Sequence, residues 1–403
     1  MQLTWTYLAP LIFMAVMGLA LLTYVVLDGY DLGVGMLVPF ATPDEKDVMV
    51  SSIGPFWDAN ETWLVLGVGV LLVAFPAAHG VVLQALYLPV AVMLIGLVLR
   101  GVAFDFRVKA HADHKPLWNR VFASGSLVTS LAQGWMLGSY ITGFDSGIWA
   151  LLFSTGIALT LPAAYAMLGA GWLIMKTDGP LQGKAVAWAS QVFWPMAGAL
   201  VAISLATPVV SQTVYAKWFH LPQLFALLPI PLICAGAMWA LHHVVKRPAV
   251  VKAGYGWVVF AATVAVFILA FFGLAYSLFP YIVIDRLNVW EAASSPQALA
   301  ILMVGVGITL PAIIGYTIFM YRHNERTDNL GDVARLVSYQ LSGKLIAAHP
   351  VTGVGAGDMK HEMDAMYERY YPQTDEHGRL LPHNQFLVVA LGCGIPAMIL
   401  FIV

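Results

Sequence analysis

Six ionisable side chains stand where apolar runs begin or end. Asp28 and Asp31 lie in Leu27-Asp28-Gly29-Tyr30-Asp31-Leu32-Gly33, Asp58 and Glu61 in Phe56-Trp57-Asp58-Ala59-Asn60-Glu61-Thr62-Trp63, and Arg100 and Asp105 in Arg100-Gly101-Val102-Ala103-Phe104-Asp105-Phe106-Arg107. A charge at the centre of a membrane helix costs about 2.5–3.5 kcal/mol, so such acids face protein, a partner or water. Asp28 and Asp31 are three residues apart, as are Asp58 and Glu61, and in a helix that spacing puts both members of a pair on one face.

Two kinds of chemistry fit this set. One is proton entry, in which acids near a membrane surface exchange protons with water and an arginine holds some of them ionised. The other is structural: Asp58 and Glu61 cap the helix that follows, near the positive end of its dipole, with Arg100 as their salt-bridge partner, while Asp28 and Asp31 occupy a glycine-flanked turn. The residue types favour proton handling at Asp58 and the turn at Asp28 and Asp31, and the roles are compatible. Trp57 and Asn60 stand beside the acids as supporting groups.

The elements that must position these residues are membrane helices. The chain has 403 residues, of which 60% are hydrophobic and 10% charged; a soluble domain carries about 25% charged residues. Mean hydropathy is +0.79, which makes this an all-α polytopic membrane protein. A net charge of −2 offers no basic surface, so nucleic acid is excluded as a partner. Apolar runs of spanning length fall at 7–27, 62–79, 80–99, 121–143, 148–175, 185–210, 223–243, 254–280 and 298–321, nine helices in all. No Lys or Arg precedes Lys46, so the first run lacks the charged leader of a cleaved signal and is expected to be retained.

Loops after the first, third, fifth and seventh helices hold eleven Lys and Arg against two in the alternate loops. The imbalance predicts an external N-terminus and puts the acid cluster at the cytoplasmic end. Thr160-Leu161-Pro162-Ala163 and Thr309-Leu310-Pro311-Ala312 recur four helices apart. The recurrence fits two parallel four-helix bundles plus one helix, and equally a kink motif used twice. Residues 322–384 hold 16 of the 42 charges, so a polar segment at 323–384 follows the membrane domain, and the run at 385–403 adds a tenth helix.

Several chemistries are set aside. Ten of the eleven histidines lie in loops or at helix ends and His79 at an external end, so the chain alone is expected to ligate no haem and no metal. Cys234 and Cys393 lie in separate apolar runs and read as buried free thiols. Gly353-Val354-Gly355-Ala356-Gly357-Asp358 lacks the Lys-Ser/Thr and the preceding strand of a phosphate loop.

The acid motifs above, together with Phe279-Pro280 and Trp290-Glu291-Ala292-Ala293-Ser294-Ser295, resemble subunit II of the cytochrome bd quinol oxidases over residues 1 to about 322, in the tone of the cyanide-insensitive branch. The resemblance implies a bacterial plasma-membrane complex, inactive as this chain alone. Subunit I would hold haems b558, b595 and d, quinol would be its substrate, oxygen would be reduced to water, and a small accessory subunit could join. It also implies that Asp58 and, less directly, Asp28 and Asp31 support proton delivery, with Arg100 holding the cluster. A proton-coupled transporter is the alternative, since buried acids would serve it too. Separately, His349 to Asp358, Leu381 to Leu387 with His383, and Gly392 to Ile395 resemble the end of O-antigen ligases or polymerases. A fusion or assembly accident is the favoured account of that tail over a second activity.

Overall fold

Long apolar runs fold as helices because a helix satisfies its own backbone hydrogen bonds in lipid. The computed structural model of the chain describes residues 4–397 apart from 112, 222, 325–330, 356, 373–378, 380 and 382–384. Its helices are α1 (Trp5–Leu37), α2 (Pro43–Ile53), α3 (Trp57–Ala74), α4 (Pro76–Lys109), α5 (Lys115–Ile141), α6 (Ile148–Lys176), α7 (Gly179–Val210), α8 (Gln212–Phe219), α9 (Gln223–Leu227), α10 (Pro229–Val245), α11 (Pro248–Val250) and α12 (Trp257–Leu278). A two-stranded antiparallel hairpin follows, β1 (Tyr281–Val283) and β2 (Leu287–Asn288). Then come α13 (Val289–Ala292), α14 (Pro296–Asn324), α15 (Gly331–Ala348), α16 (Met359–Tyr370) and α17 (Gln385–Cys393). Two compact units result, Met1–Ile314 and Gly315–Val403.

Among the described residues, seven helices are long and apolar enough to cross a membrane: α1, α3, α4, α6, α7, α12 and α14. The other two runs expected to span are helical as well. α5 has 27 residues but is more polar. The run expected at 223–243 is divided between α9 and the 17-residue α10, which opens at Pro229. Helix boundaries shift for a local reason. Pro76 has no N–H to continue α3 and instead starts α4, so the break falls at Phe75 rather than at residue 79.

α1 is the central helix, packed against α3, α5, α6 and α12, while α4 lies along α5 and α6 along α7. Small residues allow the closest approaches, as is usual between membrane helices. A Cβ added at Gly169 would strike the backbone of Gly33, and one added at Gly33 would strike that of Tyr165, so α1 and α6 touch main chain to main chain. Gly96 and Gly125 do the same for α4 and α5. Thr160 and Thr309 each donate to the carbonyl four residues back, at 2.9 and 3.0 Å, the same local device before Pro162 and Pro311.

The Trp290–Ser295 segment is a strap on the ends of α1 and α3. Asn288 and Glu291 form a capping box that starts α13. Trp290 stacks on Tyr7 at 5.1 Å and donates to its carbonyl at 3.1 Å. Ser294 donates its N–H to Ala74 O at 2.8 Å and its hydroxyl to Val73 O at 2.6 Å.

The second unit has its own small core of Leu341, Leu345, Met363, Tyr367 and Leu391. Its glycine loop is committed to backbone pairing: Val354 N–H donates to Leu391 O and Gly355 N–H to Gly392 O. The expected tenth helix is interrupted, because Gly394 takes a φ of +86° just after α17. Cys234 is buried as expected, whereas Cys393 is exposed at that helix end. His383 lies outside the described residues.

Candidate functional site

The six ionisable residues of the sequence sort by which helix face carries them. α1 continues through Asp28 and Asp31 to Leu37, so the glycine-flanked turn expected there does not exist. Both acids are instead fully buried in a continuous helix. The glycines serve packing: a Cβ at Gly29 would press on the Tyr165 ring.

Arg100 is brought to Asp28 by α4 and is itself buried. Its Nη1 lies 2.5 Å from Asp28 Oδ1, and its Nη2 pairs with Glu61. Of the two acids expected to pair with Arg100, Glu61 does and Asp58 does not, and Asp28 is its innermost partner. The reason lies in where α3 starts. The helix begins at Trp57 with Phe56 as its N-cap and no side-chain cap bond, so Asp58 sits in the first turn without capping it. Glu61, one turn on, reaches inward and keeps a third of its side chain exposed.

Asn60 is buried beside Asp31 and donates from Nδ2 to Asp31 Oδ2 at 2.9 Å and to Tyr30 Oη at 3.0 Å. Behind it, Tyr30 stacks on Trp172 at 4.3 Å. Asp58 and Asp105 are exposed on α3 and α4 and close enough to interact electrostatically. The cluster is therefore two-layered, with Asp58 and Asp105 at the surface, Glu61 between, and Asp28, Asp31, Asn60 and Arg100 inside.

A cavity of about 10 Å³ borders the inner layer, lined by Asp31, Ile53, Trp57, Arg100, Phe104 and Phe122. That volume admits about one water molecule. Two of its lining residues carry buried polar atoms with no hydrogen bond among the described residues, Asp31 Oδ1 and Arg100 Nε. Trp57 and Phe104 rings meet at 5.1 Å on the cavity wall.

Around this end of the helices runs a collar of charges. Arg107 donates to Asn119 Oδ1 at 2.5 Å and pairs with Asp47 at 2.6 Å, with Lys115 at 3.5 Å from the same carboxylate. Lys184 meets Glu45 at 2.7 Å. The bond from Lys184, reinforced by the Thr42 amide, holds the Glu45 carboxyl down at about 2.

Three buried polar side chains next to the cluster were not singled out from the sequence: Tyr24, Gln133 and Tyr165. The available signal was Gln133, a long amide side chain in the middle of a spanning run. The donors of the cluster itself are carboxylates, an amide and a guanidinium, which are not axial haem ligands. Among the described residues no group of three or more His, Cys, Asp or Glu could hold a metal ion.

Comparison with known proteins identifies the family. A family model described as cytochrome bd terminal oxidase subunit II matches residues 9–323. The chain is 29% identical to cytochrome bd ubiquinol oxidase subunit 2 of Bacillus subtilis, across 73% of this chain and 89% of that protein. It is 26% identical to cytochrome bd-I ubiquinol oxidase subunit 2 of Escherichia coli K12, across 75% of this chain and 91% of the other. In fold it is similar to a chain of the bd oxidase from Geobacillus thermodenitrificans, with a TM-score of 0.61 at 16% identity over 78% of this chain and 99% of that one. The chain belongs to the cytochrome bd terminal oxidase subunit II family.

Proposed function

We propose that this chain carries protons from the cytoplasmic face towards a haem-bearing subunit I, in a complex that oxidises quinol and reduces oxygen to water. Reducing one oxygen molecule to water consumes four electrons and four protons, and quinol supplies the electrons. Haems b558, b595 and d would sit on subunit I and do the redox chemistry, and a small accessory subunit is accommodated. No step passes through a haem on this chain, whose cluster does not fit one.

The observation that carries the proposal is the layering of the acids. Surface Asp58 and Asp105 meet water or a partner, Glu61 leads inward, and Arg100 links it to Asp28 beside Asp31. The one-water cavity bordered by Asp31 and Arg100 adds a place for a hydrogen-bonded step between them. Nine spans are proposed, counting α5 and α10, as two four-helix bundles plus α14, with the N-terminus outside the bacterial plasma membrane. The collar of Lys and Arg around the acid end supports that orientation. A membrane domain to about residue 322 carries the function, and the polar segment 323–384 and terminal run 385–403 take no part in it. A transporter reading is not favoured, since family and relatives are oxidase subunits.

Co-purification with a haem-containing membrane protein tests the assembly, and Asp58→Asn tests the path. In the assembled complex Asp58→Asn should slow oxygen consumption towards ~10²-fold, the scale of a lost proton-transfer group. Wild-type assembly, haem content and turnover together would reduce Asp58 to a replaceable surface acid.

A further inference from the structure

The buried acids adjoin a second set of polar side chains that the proposed path does not use. Tyr24 of α1, Gln133 of α5 and Tyr165 of α6 are all buried between their helices. Tyr165 donates its hydroxyl to Gln133 Oε1 at 2.6 Å, and Gln133 Nε2 donates to the Tyr24 hydroxyl at 2.8 Å. Tyr24 and Asp28 are four residues apart on α1, one turn along the same helix face, and both are buried.

Chemistry gives this chain a direction. An amide oxygen only accepts, an amide nitrogen only donates, and a phenol hydroxyl has one hydrogen to give. With Gln133 Nε2 pointing at the Tyr24 oxygen, the Tyr24 hydrogen is left for another acceptor. Asp28 supplies one, because among the described residues its carboxylate oxygens, apart from the Arg100 ion pair, accept no hydrogen bond. Turning the Gln133 amide end for end would spend the Tyr24 hydrogen on Gln133 and leave the Tyr165 hydrogen without an acceptor, in an interior where an unmade bond costs about 1–3 kcal/mol. The carboxylate at the end of the chain therefore selects the order Tyr165 to Gln133 to Tyr24 to Asp28.

We propose that Tyr24, held by Gln133 and Tyr165, is the positioning residue of Asp28: its hydroxyl donates to the carboxylate and holds it against Arg100. One side of the carboxylate then belongs to the guanidinium and the other to the phenol, so the group cannot turn within the cluster. This rests on the proton-path reading for its purpose, but the hydrogen bond itself can be observed separately.

The test is infrared difference spectroscopy of the assembled oxidase, with the Asp28 bands identified as those that Asp28→Asn removes, together with oxygen consumption across pH. Tyr24→Phe keeps the ring and removes the hydroxyl. It should shift the Asp28 carboxylate band, lower turnover and alter the pH profile at unchanged haem content. Gln133→Leu, which frees Tyr24, should move the same band and serves as the test if Tyr24→Phe does not assemble. An Asp28 band at the wild-type position in either assembled variant overturns the proposal. If the band moves while Asp28→Asn itself consumes oxygen like wild type, the hydrogen bond stands and the proton-path reading is what fails.

Discussion

Arg100 is one guanidinium set among three carboxylates, paired with Asp28 and Glu61 and sharing a cavity wall with Asp31. Removing one partner of a buried ion pair costs about 3–5 kcal/mol, because the other charge stays buried. Arg100→Gln should therefore lower the thermal stability of the complex or abolish its assembly, as read from haem content and melting temperature. The Asp28→Asn, Arg100→Gln double variant should lose less than the two single losses added, since it removes both charges. Glu45 gives a pH signature outside the membrane. Its carboxyl is held down at about 2 against an ordinary 4.5, so the support it gives α2 is complete above pH 4.5 and is lost as the pH falls towards 2. Hydrogen exchange of α2 amides should show Glu45→Gln exchanging faster than wild type at neutral pH, with the difference shrinking through that acid window. The acids and Arg100 were legible by type, because charges in apolar runs are costly wherever they occur. Their pairing was not, because it depends on helix phase: α3 starts at Trp57, which leaves Asp58 outside and turns Glu61 inward. Tyr24 and Tyr165 were missed because a tyrosine in an apolar run looks like packing until a partner such as Gln133 is placed beside it.

At the scale of the element, the contact between α1 and α6 sets how firmly the cluster is held. Gly33→Ala or Gly169→Ala forces a methyl group into the facing backbone, an overpacking change worth about 1–3 kcal/mol. Each should lower the melting temperature of the complex, whereas Gly198→Ala in α7, with open space around it in this chain, should leave it unchanged or slightly higher. Apolar length made the spans visible, and proline explains why the α3–α4 boundary moved. α5 was expected to span from its run at 121–143, yet it is more polar than the seven most apolar helices, and the reason is its buried face. Ser126, Thr129, Ser130 and Gln133 all point into the protein there, so polarity that reads as solvent exposure in one dimension is interior in three. Helix-to-helix distances set by Gly33 and Gly169 were not legible, because a glycine in a membrane helix does not name the helix that faces it.

For the whole molecule, composition alone was enough to read a multi-pass membrane protein, and the motifs were enough to read the family. The boundary between the two compact units falls at Ile314, inside α14, ahead of the rise in charge density that begins at Arg322. A chain ending after Asn324 should still assemble with its haem-bearing partner and support oxygen consumption, checked by haem content and oxygen uptake of the purified complex; loss of both would give the second unit a part in the oxidase. The Asp28–Arg100 ion pair also carries a consequence for biogenesis. Its two ends belong to α1 and α4, and at a synthesis rate of about 5–20 residues per second the arginine follows the aspartate by roughly 4–14 s. For that interval α1 holds two acids that lipid would not tolerate alone. The first helix is therefore expected to settle fully only when α4 arrives, so that the order of synthesis and the order of settling into the membrane differ.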